Sequence, residues 1–235
     1  MSTTLAALAT VPARAHLLAR ALASLRPQVD VLAVYLNGFR EAPRSVLEFS
    51  DRYVLDPENA GAECKLHWAD RHEGLYFSCD DDFAYPDDYV VTMTAAIRQW
   101  AGRALVTAHG RQYVERPGSV HDVVPNSVGI VHQRVKQGRW VNHGGSGAMA
   151  WDARELRLPT RWPERNLVDM QIAVWAQENA VPIWLVPHRV GWIDSLATLD
   201  PNGLFRASRA EGHRRRNALV SRHGSERGWK LHEAH

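Results

Sequence analysis

Residues Gly74–Tyr89 read GLYFSCDDDFAYPDDY, and the interpretation of this stretch decides what the rest of the chain can be. Leu75, Tyr76 and Phe77 form an apolar run suited to a buried strand, and the run stops abruptly at three carboxylates, Asp80, Asp81 and Asp82. Side chains alternate across an extended chain, so Asp80 and Asp82 share a face and can converge on one hard cation while Asp81 points away. Two such oxygens leave positions open on Mg²⁺ or Mn²⁺, which the phosphates of a diphosphate substrate can fill. A solvated acidic turn is the competing reading, since Asp is common in turns. An EF-hand calcium loop is disfavoured: counted from Asp80, its sixth-position glycine falls on Tyr85. Asp87 and Asp88, after Pro86, are read as structural, opening a helix to about Trp100 where acidic groups favour the positive end of the dipole.

Upstream, Leu5 to Val11 reads as a first strand, Leu17 to Leu25 as a helix ended by Pro27, and Val29 to Leu36 as a second strand broken at Asn37 and Gly38. Strand, helix and strand in this order predict a βαβ unit and a parallel sheet. A helical piece from Pro43 to Phe49, a short strand from Arg52 to Leu55 and a helical segment near Cys64 to Asp70 lead into the acidic stretch. Open sheets of this class bind ligands at the carboxyl ends of their strands, where Thr10, Asn37 and the Asp80 to Asp82 triplet all fall.

Downstream, Ala104 to His109 predicts another strand, and Gln112 to Arg139 predicts strands and loops. His143 to Ala150, HGGSGAMA, is a small-residue turn into a further element; Leu167 to Asn179 reads as a helix and Val181 to Val186 as a late strand. In the run Gly144, Gly145, Ser146, Gly147, the glycines allow either backbone amides close to a ligand or a tight turn. From Pro201 the composition shifts toward Arg, His and Gly, predicting a basic appendage over 199–235.

A chain of 235 residues with 45% hydrophobic content can bury a substantial core, and a formal charge of +2 gives no whole-chain argument for nucleic acid or membrane. Cys64 and Cys79 are neither a disulfide framework nor a zinc set, which fits a reducing cytoplasm. The N-terminus lacks the charge pattern of a signal peptide and no apolar stretch is long enough for a membrane helix, so a cytoplasmic protein is expected.

The order of these features resembles the GT-A glycosyltransferases, especially the family 2-like ones, over about residues 3 to 194. The features are the first strand running into Thr10, Pro12 and Arg14, a second strand ending at Asn37, Lys65 before the acidic strand end, a Gly-rich turn, and a late helix bearing Asp169. The resemblance implies an α/β fold with a mostly parallel, Rossmann-like sheet flanked by helices. It also implies one domain over 1–198, with a nucleotide-binding half (about 1–100) and a smaller mixed acceptor half (about 101–198). Asp80 to Asp82 with Tyr85 and Pro86 resembles the family's DxD motif, which implies that Asp82 holds a Mn²⁺ or Mg²⁺ ion and that Asp80 reaches the ribose or the metal's shell. Thr10, Pro12, Arg14, Asn37, Lys65, Asp81, Gly145 and Ser146 match surroundings of a UDP- or GDP-sugar donor. Asp169 matches the Asp of the family's ED pair, the general base on an acceptor hydroxyl, although Val168 stands where the Glu belongs. His188, after the late strand, matches a third metal ligand.

Each assignment has a plainer competitor. Lys65 can be a surface lysine, Asp169 can merely favour the first turn of its helix, and a lone histidine such as His188 is more often structural. Arg14 at a helix start opposes the dipole, which hints at a bound anion. Of the nine tryptophans, Trp140, Trp151, Trp162 and Trp192 fall near predicted loops, and Trp192 is the one expected to face an acceptor. The basic run Arg206, Arg209, His213, Arg214, Arg215 and Arg216 reads as a solvated helix face, or else as a clamp for the donor diphosphate or for an anionic acceptor such as nucleic acid.

Two other classes compete with this reading. A catalytically idle GT-A-like module holding a glycan or nucleic acid is favoured by Val168 and opposed by the intact triplet. A nucleotidyltransferase is opposed by the lack of glycine in ATVPARAH after the first strand. Gln137, Gly138, Arg139 and Trp140 resemble the processive synthases' signature but stand one residue short and before Asp169.

Overall fold

A computed structural model of the protein describes residues 2–113, 131, 133–196 and 214–234. Strand β1 (Thr3–Thr10) is followed by a 3₁₀ turn (Pro12–Arg14) and helix α1 (Ala15–Leu25), with Pro27 inside the 3₁₀ turn that ends it. The unit continues through β2 (Val31–Asn37), α2 (Arg44–Phe49) and β3 (Arg52–Asp56). A 3₁₀ helix (Ala62–Leu66) occupies part of the segment expected to be α-helical, and β4 (Gly74–Asp80) is the predicted acidic strand.

The sheet has eight strands in the order β3-β2-β1-β4-β10-β6-β11-β8, where β6 is Leu105–Thr107, β8 Arg139–Val141, β10 Ala148–Asp152 and β11 Ile183–Leu185. Pairing is parallel from β3 through β4 and between β6 and β11, while β10 and β8 run the other way. This is the mostly parallel, helix-flanked α/β architecture that the sequence predicts.

Burial on both faces explains the apolar runs. In β1, Ala6 and Leu8 join one core with Leu18 and Leu22 of α1, while Leu5 and Ala7 join the opposite core with Trp151. In β4, Leu75, Phe77 and Cys79 face the first core and Tyr76 the second. A strand buried on both sides needs apolar residues at every position, not every second one. Helices α3 (Tyr89–Gln99) and α4 (Val168–Glu178) cover opposite faces, through Tyr89 and Met93 on one side and Val168 and Ile172 on the other.

One expectation is corrected. The strand predicted to His109 stops at Thr107. The chain then enters a two-stranded ribbon, β7 (Gly110–Arg111) with β9 (His143–Gly144). The described part of the basic segment is anchored on one side, where α5 (Arg214–Arg227) and Trp229 pack on α4 through Val220, Met170 and Ala173, while Arg214 and Arg215 are exposed, as on a solvated helix face. Arg206, Arg209, His213 and the boundary near residue 198 lie outside the described residues, as does most of Gln112 to Arg139. Among the described residues, no helix is long and apolar enough to cross a membrane.

The tryptophans assigned to loops serve largely as core. Trp151 lies on β10, fully buried and stacked on Tyr76 at 4.6 Å between ring centroids, and Trp140 on β8 packs against Trp100 and Trp184. Trp151→Ala removes the largest fully buried side chain, and the expected loss is about 3–5 kcal/mol of unfolding free energy in urea titration.

Candidate active site

In the strand order, β1 and β4 are neighbours from which the chain winds outward in both directions, so a crevice opens at their carboxyl ends. Ala9 is registered with Asp80 there, which sets Thr10 and the acidic triplet side by side. On the other flank of β4, β10 follows directly from the Gly-rich run, so Gly145, Ser146 and Gly147 meet the same edge.

The triplet does not follow simple alternation. Asp80 is the last strand residue, and Asp81 and Asp82 lie in the turn before β5 (Phe83–Ala84). Asp81, expected to point away, is the most buried of the three, with only 3% of its surface exposed. The turn ends the extended geometry on which alternation depends. Arg14 forms ion pairs with both Asp81 and Asp82, the latter at 2.8 Å. The anion that this helix start favours is therefore the chain's own.

Lys65 is buried, in contrast to the surface lysine of the plainer reading, and its Nζ is ion-paired with Asp80 and lies 3.4 Å from Ser146 Oγ. Burial works against the Lys65 charge, but the Asp80 and Asp169 carboxylates outweigh it and raise its pKa. Burial likewise opposes the charge on Asp80, while Lys65, Arg14 and His109 hold its carboxyl below the ordinary range. Asp81 is pushed up to about 7, chiefly by desolvation and with the Asp82 charge adding, against the pull of Arg14. Asp82 is pushed up to about 6 by desolvation and by Asp80.

Tyr85 locks this corner. Its hydroxyl accepts the Asp80 N–H at 2.7 Å and donates to the Gly147 carbonyl at 2.6 Å. Gly147 is required by close approach: a Cβ there would stand 1.9 Å from Asp80 Oδ2. Gly145 donates its N–H to the His109 carbonyl at 2.7 Å, and the Ser146 N–H donates to Asp169 Oδ1 at 2.9 Å. Asp169, in the first turn of α4, is thereby held against the same loop that touches Asp80. Val168, in the place of the family's Glu, is a buried member of the core beside Ile172.

A cleft of about 180 Å³ opens between these groups, and Asp80, Gly145, Gly147 and Asp169 all line it. So do His109, Arg111 and His143, which the sequence reading did not assign to the site, and Arg216, which it named within the basic run as an alternative anion clamp. Arg111 and His109 follow the end of β6, and the strand-end rule that singled out Thr10 and Asn37 would have found them. His143, immediately before the glycines, is fully buried beside Tyr113, with 2.5 Å between its Nδ1 and the Tyr113 hydroxyl. Burial, then the Arg216 and Arg111 charges, hold the His143 pKa well below the ordinary value.

Four predicted residues have other employment. Asn37 is buried, its side-chain amide donating to the Gly61 carbonyl and accepting the Ala60 N–H, both at 3.1 Å, so it pins the loop after β3. Pro12 is exposed beside Gly38. His188 has both ring nitrogens against carbonyl oxygens, Ala108 at 3.0 Å and Arg189 at 3.2 Å, so no lone pair is directed toward Asp80 and Asp82. Trp192 is only 4% exposed, stacks on His188 and donates its Nε1 hydrogen to Asp88 at 2.8 Å, which leaves no ring face for an acceptor.

The donor set was tested against a divalent cation. Asp82 Oδ1 is buried without a hydrogen-bond partner, and desolvation first, with neighbouring carboxylates adding, raises Asp81 and Asp82 against the pull of Arg14. Hard oxygens in that condition fit Mg²⁺ or Mn²⁺. Among the described residues, there is no group of three or more His, Cys, Asp or Glu side chains that could hold a metal ion.

No family model and no curated protein matches the sequence. Among solved structures, the chain is similar to a mycobacterial protein, with a TM-score of 0.36 and 19% identity over 51% of this chain and 43% of that one. It is also similar to 4-diphosphocytidyl-2C-methyl-D-erythritol synthase, with a TM-score of 0.41 and 11% identity over 65% of this chain and 76% of that one.

The folded protein holds a proton on Asp81 that the unfolded chain releases near pH ~4. The associated stability is complete below that pH and is lost as pH rises through about 7. Asp81→Asn is therefore expected to gain several degrees in melting temperature relative to the parent between pH ~5 and ~8. A difference that stays constant across this range would contradict the buried-carboxylate account.

Proposed function

We propose that the protein is a metal-dependent glycosyltransferase that moves a sugar from a nucleoside-diphosphate sugar to a hydroxyl acceptor with inversion. The observation that carries this reading is that Asp80 and Asp169, from distant parts of the chain, line one cleft bridged by the Ser146–Gly147 turn. A carboxylate for the donor's end and a carboxylate for the acceptor's proton are the two groups such a displacement needs.

In this reading, Asp169 is the general base. Its Oδ1 is engaged by the Ser146 N–H, which fixes the carboxylate and leaves Oδ2 to take the acceptor hydroxyl's proton. The acceptor oxygen bonds to the anomeric carbon as the bond from that carbon to the diphosphate oxygen breaks, and the released electron pair stays on the nucleoside diphosphate. One displacement inverts the configuration. A bound Mn²⁺ or Mg²⁺, held by Asp80 and by the unpartnered Oδ1 of Asp82, would stabilise the charge on that leaving group. Arg14 and Lys65 orient the two carboxylates, and both cations favour their ionised forms against burial. Thr10 stands at the same strand ends, its hydroxyl buried without a hydrogen-bond partner.

The competing reading is a catalytically idle module of the same fold, and the observation in its favour is Val168, whose place in the core excludes a second carboxylate there. Melting curves with UDP or GDP separate the two. The transferase reading expects Mn²⁺-dependent stabilisation that is lost in Asp82→Ala. It also expects Asp169→Asn to keep this stabilisation while transfer or slow donor hydrolysis falls by about 10²–10⁴-fold. A protein whose melting temperature ignores nucleotide and metal together would instead be the module.

A further inference from the structure

The cleft carries two signs of charge. Asp80 and Asp169 line it on one side, and Arg111 and Arg216 line it as well. The two arginines come from unrelated elements, β7 and α5, and α5 reaches the cleft because Val220 and Trp229 are packed on α4. Basic side chains brought together by tertiary packing repel one another, a cost that a counter-anion removes.

Among the described residues such compensation is limited to the Asp169 charge, which acts on Arg111. Among the described residues, neither Arg111 nor Arg216 forms an ion pair with a carboxylate, whereas Arg14, Arg215 and Arg222 all do. Arg111 Nε is buried with no hydrogen-bond partner. Burial, then the Arg216 charge, lowers the Arg111 pKa. Tyr113 and His143 back the same wall, where burial first and then the Arg216 and Arg111 charges lower the His143 pKa. A planar guanidinium with an unused donor, next to a second one, is suited to a phosphate or carboxylate.

We propose that Arg111 and Arg216 form an anion subsite beside Asp169, so that the acceptor presented to this base carries a phosphate or carboxylate group. This rests on the transferase reading for the word acceptor, but the subsite itself does not. Its position favours the acceptor over the donor: Asp169 is the carboxylate whose charge acts on Arg111, and α5 is anchored on the helix that bears Asp169. The donor's diphosphate would lie with Asp80 and Asp82, where Arg14 and Lys65 are already engaged.

The test is titration calorimetry of the full chain with inorganic phosphate and, separately, acetate, each with and without saturating UDP or GDP plus Mn²⁺. Phosphate binding is expected to weaken by about tenfold or more in Arg216→Gln, and to persist when nucleotide is bound. Arg216 sits on the outer helix and its replacement leaves the core intact; Arg111→Lys, which keeps the charge but loses the fork, is expected to weaken binding to a lesser degree. Tighter acetate than phosphate would assign the group as a carboxylate, and the reverse as a phosphate. The proposal is overturned if the parent binds neither anion, if Arg216→Gln leaves binding unchanged, or if nucleotide displaces the anion and itself binds more weakly to Arg216→Gln. In the last case the arginines belong to the donor. Anion binding lost in Arg216→Gln without any nucleotide response would keep the subsite and remove the transferase.

Discussion

Three carboxylates at the end of one buried strand cannot stay ionised without positive charge close by, and most of the site's architecture answers that constraint. Arg14, at the start of α1, takes Asp81 and Asp82, and Lys65, from a 3₁₀ turn, takes Asp80. Placing a lysine in the interior is costly unless it is paired, so the Lys65–Asp80 pair explains why this turn is buried. The balance is incomplete, since desolvation and mutual repulsion still lift Asp81 and Asp82 above the usual carboxylate range. A corner left short of cation charge is the physical basis for reading it as a place where a divalent ion and a diphosphate meet.

The sheet converts this corner into a cleft. β10 runs antiparallel between β4 and β6, so the glycine-rich turn that precedes it must cross the carboxyl edge of β4. That crossing brings Gly147 against Asp80 and the Ser146 amide against Asp169, with the Tyr85 hydroxyl tying the loop to the strand. Side chains held in this way by backbone hydrogen bonds are oriented before any ligand arrives, and preorganised groups need little rearrangement in a transition state.

The opposite wall has a different origin. Arg111 follows the end of β6 and Arg216 arrives from the C-terminal helix, so the cationic part of the cleft depends on the packing of α5 on α4. Acidic and basic walls in one small cleft can hold a substrate pair by opposite means, one through a bridging cation and the other through guanidinium groups.

Much of this protein was legible in the residues alone. Apolar runs of strand length, the helical spacing of Leu18, Leu22 and Leu25, and the turn at Asn37 and Gly38 identify the α/β class, because local periodicity reports which faces are buried. The acidic strand end, Thr10 and Asn37 could be placed at one edge because strands in a parallel sheet present their carboxyl ends together. Side-chain direction and partnership could not be read in this way. Asp81 turned inward where the strand ended, Asn37, His188 and Trp192 spent their polar atoms on neighbouring groups, and Arg111 joined Arg216 across the chain. Such pairings join residues far apart in sequence, so only the folded arrangement, which decides what each buried polar atom must satisfy, could determine them.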